Sequence, residues 1–159
     1  MKRSGFTMIE LIFVIVILGI LAAVAIPKLA ATRDDAKVAA LKSDLSTVIS
    51  DLGAYYTSQG VDKWKTAKIT DATNAKLYTD QTGKTQVGTA DGLAGKTFYM
   101  VANPGAATAS DCFKITTTTD GNMTIANGSD TTSTTCKTAQ AASKSLVKTH
   151  SFGSTSVVQ

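Results

Sequence analysis

Glu10 is the residue most able to do chemistry here, a carboxylate at the front of a stretch that otherwise has none. Residues 11–26 follow it without one polar side chain. A carboxylate costs roughly 2.5–3.5 kcal/mol at the centre of a membrane helix and less near an end, so it calls for a cation. Phe6 lies four residues before Glu10, about one helical turn. A cut just before Phe6 would free an amine, cationic near neutral pH, at the positive end of a helix dipole. Glu10 could then pair with its own chain's amine, or with that of a neighbour shifted along the axis. The alternative is a carboxylate at the membrane interface with no partner.

Few other groups could carry chemistry. His150 is the single histidine and sits near the tail, where a solvated surface role is expected. Cys112 and Cys136 allow one intramolecular pairing. They form a disulfide if this half of the chain lies outside the cytoplasm, and are otherwise two unrelated thiols. Asp120, Asn122 and Asp130 could lend oxygens to calcium, although their spacing does not match a dedicated calcium loop. Asn127, Gly128 and Ser129 match a glycosylation triplet, a pattern frequent by chance. There is no Gly-rich phosphate loop, no paired metal-ligand motif and no catalytic constellation. An enzyme is therefore not expected, nor a cofactor.

The elements that must position Glu10 begin with a short basic segment, Met1, Lys2, Arg3, Ser4 and Gly5. Residues 6–26 then form a 21-residue apolar block, which as a helix reaches about 31 Å, close to the hydrocarbon thickness of a bilayer. It is apolar all round, which suits lipid better than a soluble core. Lys2 and Arg3 place the N-terminus in the cytoplasm and the rest across the membrane, with Lys28 and Arg33 weakening that bias slightly. This topology favours the Cys112–Cys136 bond. A conventional secretory signal would be cut near Ala25, but Glu10 stands where its apolar region should start, and the helical pattern runs on past the end.

Beyond Pro27, Val38, Leu41, Leu45, Val48, Leu52 and Tyr55 recur at spacings of three and four. This is the apolar stripe of an amphipathic helix, with Gly60 as its stop. A helix from Phe6 to about Ser58 would be about 80 Å long. Residues 61–97 are polar and punctuated by glycines, with Trp64, Ile69, Leu77 and Tyr78 as anchors and a short helix near residues 71–78. Strands are expected at 97–102, 112–117 and 123–126, as an antiparallel meander covered by the stripe. A short helix over 139–147 and an edge strand through Val157 and Val158 complete the expectation. The fold class is α+β: a long N-terminal helix packed on a small antiparallel sheet.

The totals fit one modest domain. Of 159 residues, 43% are apolar but only 6% aromatic, so the head has few large side chains for its core and a staple would help it. The net charge of +4 is too weak to argue nucleic-acid binding, and it falls to +2 if Lys2 and Arg3 are removed.

Gly5, Phe6, Thr7, Met8, Ile9, Glu10 and Leu11, followed by the run from Val14 to Pro27, closely resemble the class III signal of type IV pilins and type II secretion pseudopilins. The likeness covers the first thirty or so residues. It implies that a prepilin peptidase cuts between Gly5 and Phe6 and methylates the new amine of Phe6. It implies that Glu10 serves subunit recruitment and pairing, and that Gly19 and Pro27 bracket a part of the helix that can loosen. Physics agrees on the last point, since proline removes a backbone donor and glycine weakens a helix by about 1 kcal/mol, though both are also tolerated in spanning helices.

On this resemblance residues 1–5 are a leader, 6–27 the membrane and filament-core helix, 28–59 the amphipathic helix and 60–159 the periplasmic or extracellular head. The expected partners are further copies, minor pilin-like subunits, the peptidase, an inner-membrane assembly platform and lipid. Some such pseudopilins bind calcium in a C-terminal loop. Major pilins often carry a second proline about twenty residues after the first. Thr47 stands in that region here, which tilts the reading toward a pseudopilin, with a type IV pilin or DNA-uptake filament as alternatives. A monomeric anchored adhesin or DNA receptor is the rival of another class, but the head offers little basic or aromatic surface for it.

Overall fold

The computed structural model describes residues 6–108 and 110–153; the expected leader, residues 1–5, and the expected strand at Val157 and Val158 lie outside the described residues. The chain divides into two compact units, one ending at Ala36 and the other starting at Lys37. Helix α1, Met8–Thr66, contributes to both.

In the first unit every described residue is exposed, Phe6 by 81%, Val24 by 70% and Leu29 by 69%. Residues 11–26 of this stretch hold no Ser, Asp or Asn side chain to compete with helical backbone bonds. Pro27 stands within α1 without breaking it, and Gly19 has open space around it.

The second unit is built on the expected stripe. Leu41, Leu45, Val48 and Leu52 are buried, with Val38 and Tyr55 packed partly buried beside them. Each full burial of a Leu or Val side chain contributes about 1.5–3 kcal/mol. Gly60 is a kink rather than a stop. Its φ of 76° and ψ of 176° are open to glycine almost alone, and helix resumes beyond it to Thr66. That extra turn carries Trp64, fully buried, whose Nε1–H donates to the Thr118 carbonyl at 2.8 Å. Trp64 meets Tyr56 and Phe152 edge-on, at centroid distances of 5.5 and 6.4 Å.

Strands β1 (Thr97–Val101), β2 (Asp111–Thr117), β3 (Asn122–Asn127) and β4 (Thr149–Ser151) form one antiparallel meander in chain order. Phe98 pairs with Ile115, Ile115 with Ile125, and Met100 with Phe113. All of these are buried, with Met123, in the one core that the helix stripe also lines. The expected meander of three strands is thus extended by a fourth. β4 is short and polar, paired to β3 by backbone and by the Thr124 and Thr149 hydroxyls 3.0 Å apart, so no apolar alternation in its sequence announced it.

Two helices depart from expectation. Helix α2 is one turn, Ile69–Ala72, not a helix over 71–78. It ends because the Thr73 hydroxyl accepts from the N–H of Ala75 at 3.2 Å and donates to Asp51 Oδ2 at 2.7 Å, a local alternative to helical bonding. Leu77 and Tyr78 are then buried, and Tyr78 bridges Tyr99 of β1. Helix α3 spans Thr134–Ala142, not 139–147. Ser133 caps it by accepting from Cys136 N–H at 3.4 Å, and Asp130 Oδ1 accepts from the N–H groups of Thr132 and Ser133 at 2.9 Å. A Thr- and Ser-rich run that reads as loop is here a cap and a first turn.

Candidate functional site

The N-terminal helix opens on a reciprocal cap. Thr7 N–H and the Thr7 hydroxyl both donate to Glu10 Oε2, at 3.0 and 2.6 Å. Glu10 N–H donates in return to Thr7 Oγ1 at 3.3 Å, and Leu11 N–H reaches the Thr7 carbonyl at 3.2 Å. This is a capping box, in which Thr7 and Glu10 satisfy donors that the first helical turn leaves free. Glu10 is therefore not without a partner in the single chain. Thr7 is legible as that partner from its spacing of three to a glutamate before an apolar run.

Behind the cap lies the exposed apolar run. It belongs to a helix long and apolar enough to cross a membrane, by length and composition. A contiguous apolar surface of this extent is a contact surface, for lipid or for other helices. Gly19 and Pro27 lie within it in helical conformation. Gly5, on the leader side of the expected cut, lies outside the described residues, while Phe6 precedes the helix.

The head's candidate groups are engaged structurally. Cys112 and Cys136 form a disulfide with a Cα–Cα distance of 4.7 Å, both residues fully buried. The three suggested calcium residues do not form one site. Asp120 lies in the turn before β3, Asn122 starts β3, and Asp130 follows its far end, so β3 separates Asp120 from Asp130 by about 17 Å of strand. Burial works to raise the Asp130 carboxyl, but the N–H groups of Ser133 and Thr132, the Thr132 hydroxyl and the charge of Lys137 outweigh it and hold it below the usual range. Among the described residues no group of three or more His, Cys, Asp or Glu side chains converges. His150 Nε2 lies 2.9 Å from the Leu146 carbonyl. Asn127 is exposed, but the Ser129 hydroxyl of its triplet bonds Asp111.

Asp80 is a second carboxylate held by several donors. Asp80 accepts from the hydroxyl of Thr82 and from the N–H groups of Thr82, Lys84 and Thr85. The Thr82 hydroxyl first, then the Thr85 N–H, hold it far below the usual aspartate range. Its signal was an Asp two residues before a Thr-Gly pair, an Asx turn.

Comparison with known proteins bears on the first site. Residues 1–26 match the family described as the prokaryotic N-terminal methylation motif. The chain carries a prepilin-type N-terminus. It is also 44% identical over 54 residues to the type II secretion system core protein G of Pseudomonas aeruginosa. That match covers 34% of this chain and 38% of the relative, so the chain spans well under half the length of the protein it matches. No solved structure matches the chain. The architecture, one long N-terminal helix with a small four-stranded antiparallel sheet, is α+β and pilin-like.

Proposed function

We propose that this chain is a structural subunit of a type IV pilus-like filament, a pseudopilin of a type II secretion system. A prepilin peptidase cuts between Gly5 and Phe6 and methylates the amine of Phe6. The apolar helix holds the subunit in the inner membrane, with the head on the far side, until an assembly platform extracts it into a polymer. The work is mechanical.

The observation that carries this reading is Glu10 in its cap at the head of an exposed apolar helix, within the segment that matches the methylation motif. A lipid anchor alone needs no charge there, since glutamine would complete the same cap without the insertion cost of a carboxylate. Mass spectrometry of the mature protein tests the proposal. An N-methylated Phe6 terminus is expected. An intact Met1, or a terminus created after Ala25, refutes it.

A further inference from the structure

The second unit carries a groove of about 230 Å³ between the α1 stripe and the edge of the sheet. Its floor is mostly apolar, from Leu41, Met100 and Val101, and its rim is charged, by Lys37, Lys76 and Asp44. Lys37 Nζ spends one of its three hydrogens on Asn103 Oδ1, at 2.9 Å. Lys76 is exposed and Asp44 half-buried. The rim therefore presents two positive charges and one negative around a shallow apolar seat.

The chain contains one stretch of matching chemistry. Arg33, Asp34 and Asp35 are consecutive, exposed and helical, and Asp34 with Asp35 is the only pair of adjacent acids in the sequence. Ala30 and Ala31 precede Asp34 and Asp35 by four positions each, so they lie on the same faces one turn away. This helix segment has side chains small enough to seat on an apolar floor. Its charges, one positive and two negative, are the inverse of the rim.

We infer that the groove receives residues 30–35 of a second copy of this chain, with Asp34 and Asp35 against Lys37 and Lys76. The inference rests on the filament reading and names an interface within it. It also fixes an offset. For parallel helices, Asp34 of one copy opposite Leu41 of the other is a shift of seven residues, about 10 Å. Like charges meet at any register that brings Asp34 and Asp35 to Asp44, so the pairing also selects against misaligned neighbours.

A charge swap in the full chain, expressed in the producing cells and read as the amount of sheared polymer, tests this. Two exposed pairs together are worth up to about a tenfold change in assembly. Reversing the acids (D34K with D35K) is expected to lower polymer by about that factor, and reversing the lysines (K37D with K76D) likewise. All four substitutions together should restore most of it. Polymer unchanged in both doubles, or no recovery in the quadruple variant, overturns the inference.

Because Lys37 also holds Asn103, a cysteine pair gives an independent reading. Oxidised chain carrying D35C and K76C should form a ladder of multimers, whereas either single variant stops at dimers. A pair variant that polymerises without a ladder overturns the groove and leaves the filament reading standing. A wild-type chain that forms no polymer removes both.

Discussion

Replacing Cys112 and Cys136 together by alanine should cost the head about 3–4 kcal/mol. The bond closes a loop with a sequence separation of 24, for which the chain-entropy estimate is about 3.5 kcal/mol. Alanine is chosen because both positions are fully buried, and a serine hydroxyl there would add its own desolvation cost. The native side also matters. Beside the disulfide, α3 is held by buried Thr135 and Ala139 and by Gln140 Nε2 donating to the Cys112 carbonyl at 2.9 Å. These contacts favour a docked α3 in the variant, with most of the loss arising in the unfolded chain. A domain of this size has about 5–15 kcal/mol in all, so the variant should still fold. Urea unfolding of the segment from Lys37 onward measures the effect. With a slope near 1.5 kcal/mol per molar, the midpoint should fall by roughly 2 M. A loss below about 1 kcal/mol would refute the reasoning, because it would mean that the unfolded chain is already restricted without the bond.

Two glycines separate strain from crowding. Gly60→Ala places a Cβ in open space at φ 76°, ψ 176° and should cost about 1–3 kcal/mol; Gly121→Ala combines φ 83° with a Cβ inside the Tyr56 ring and should cost distinctly more, equal losses in urea being the contrary result. The head should also weaken in acid. Asp80 and Asp130 are held below their unfolded value of 3.8, so the stability they contribute is complete above about pH 4 and is lost as pH falls through their folded values; Asp80→Asn should flatten that slope, and an unchanged acid limb would show that Asp80 plays no part in it.

What the sequence disclosed was what is periodic. The stripe from Val38 to Tyr55 lies three and four apart, and Phe113 and Ile115 alternate with polar neighbours in the strand over 112–117, so each announced both its element and its inward face. β4 and α3 did not. β4 is three polar residues held by backbone pairing to Asn122, Met123 and Thr124, and α3 starts in Thr134 and Thr135, poor helix formers that rely on the caps from Ser133 and Asp130. Gly60 was legible as a break but not as a kink, because Trp64 beyond it is drawn into the core by Thr118, Tyr56 and Phe152, all remote in sequence or across the turn. The groove was invisible for the same reason. Its walls come from Lys37, Lys76 and Met100, which no local pattern connects.

At the N-terminus the geometry changes the question about Glu10. As a bare sequence it looked like a charge in need of a cation. In the folded chain its Oε2 already accepts from two Thr7 donors. On the filament reading, a neighbour's amine must therefore compete with Thr7, not with an empty site. That separates two roles that a deletion of the side chain would confuse. Glu10→Gln keeps an oxygen for the cap, since glutamine also completes a capping box, but removes the charge an amine would seek. Thr7→Val does the reverse, removing the hydroxyl while leaving the carboxylate. If ion pairing drives assembly, Glu10→Gln should abolish polymer while the amides of Thr7 and Glu10, which the cap holds, stay protected from exchange in micelles. Thr7→Val should fray those amides, at a cost of about 1 kcal/mol, and still polymerise. Normal polymer from Glu10→Gln would mean that Glu10 acts through the cap alone.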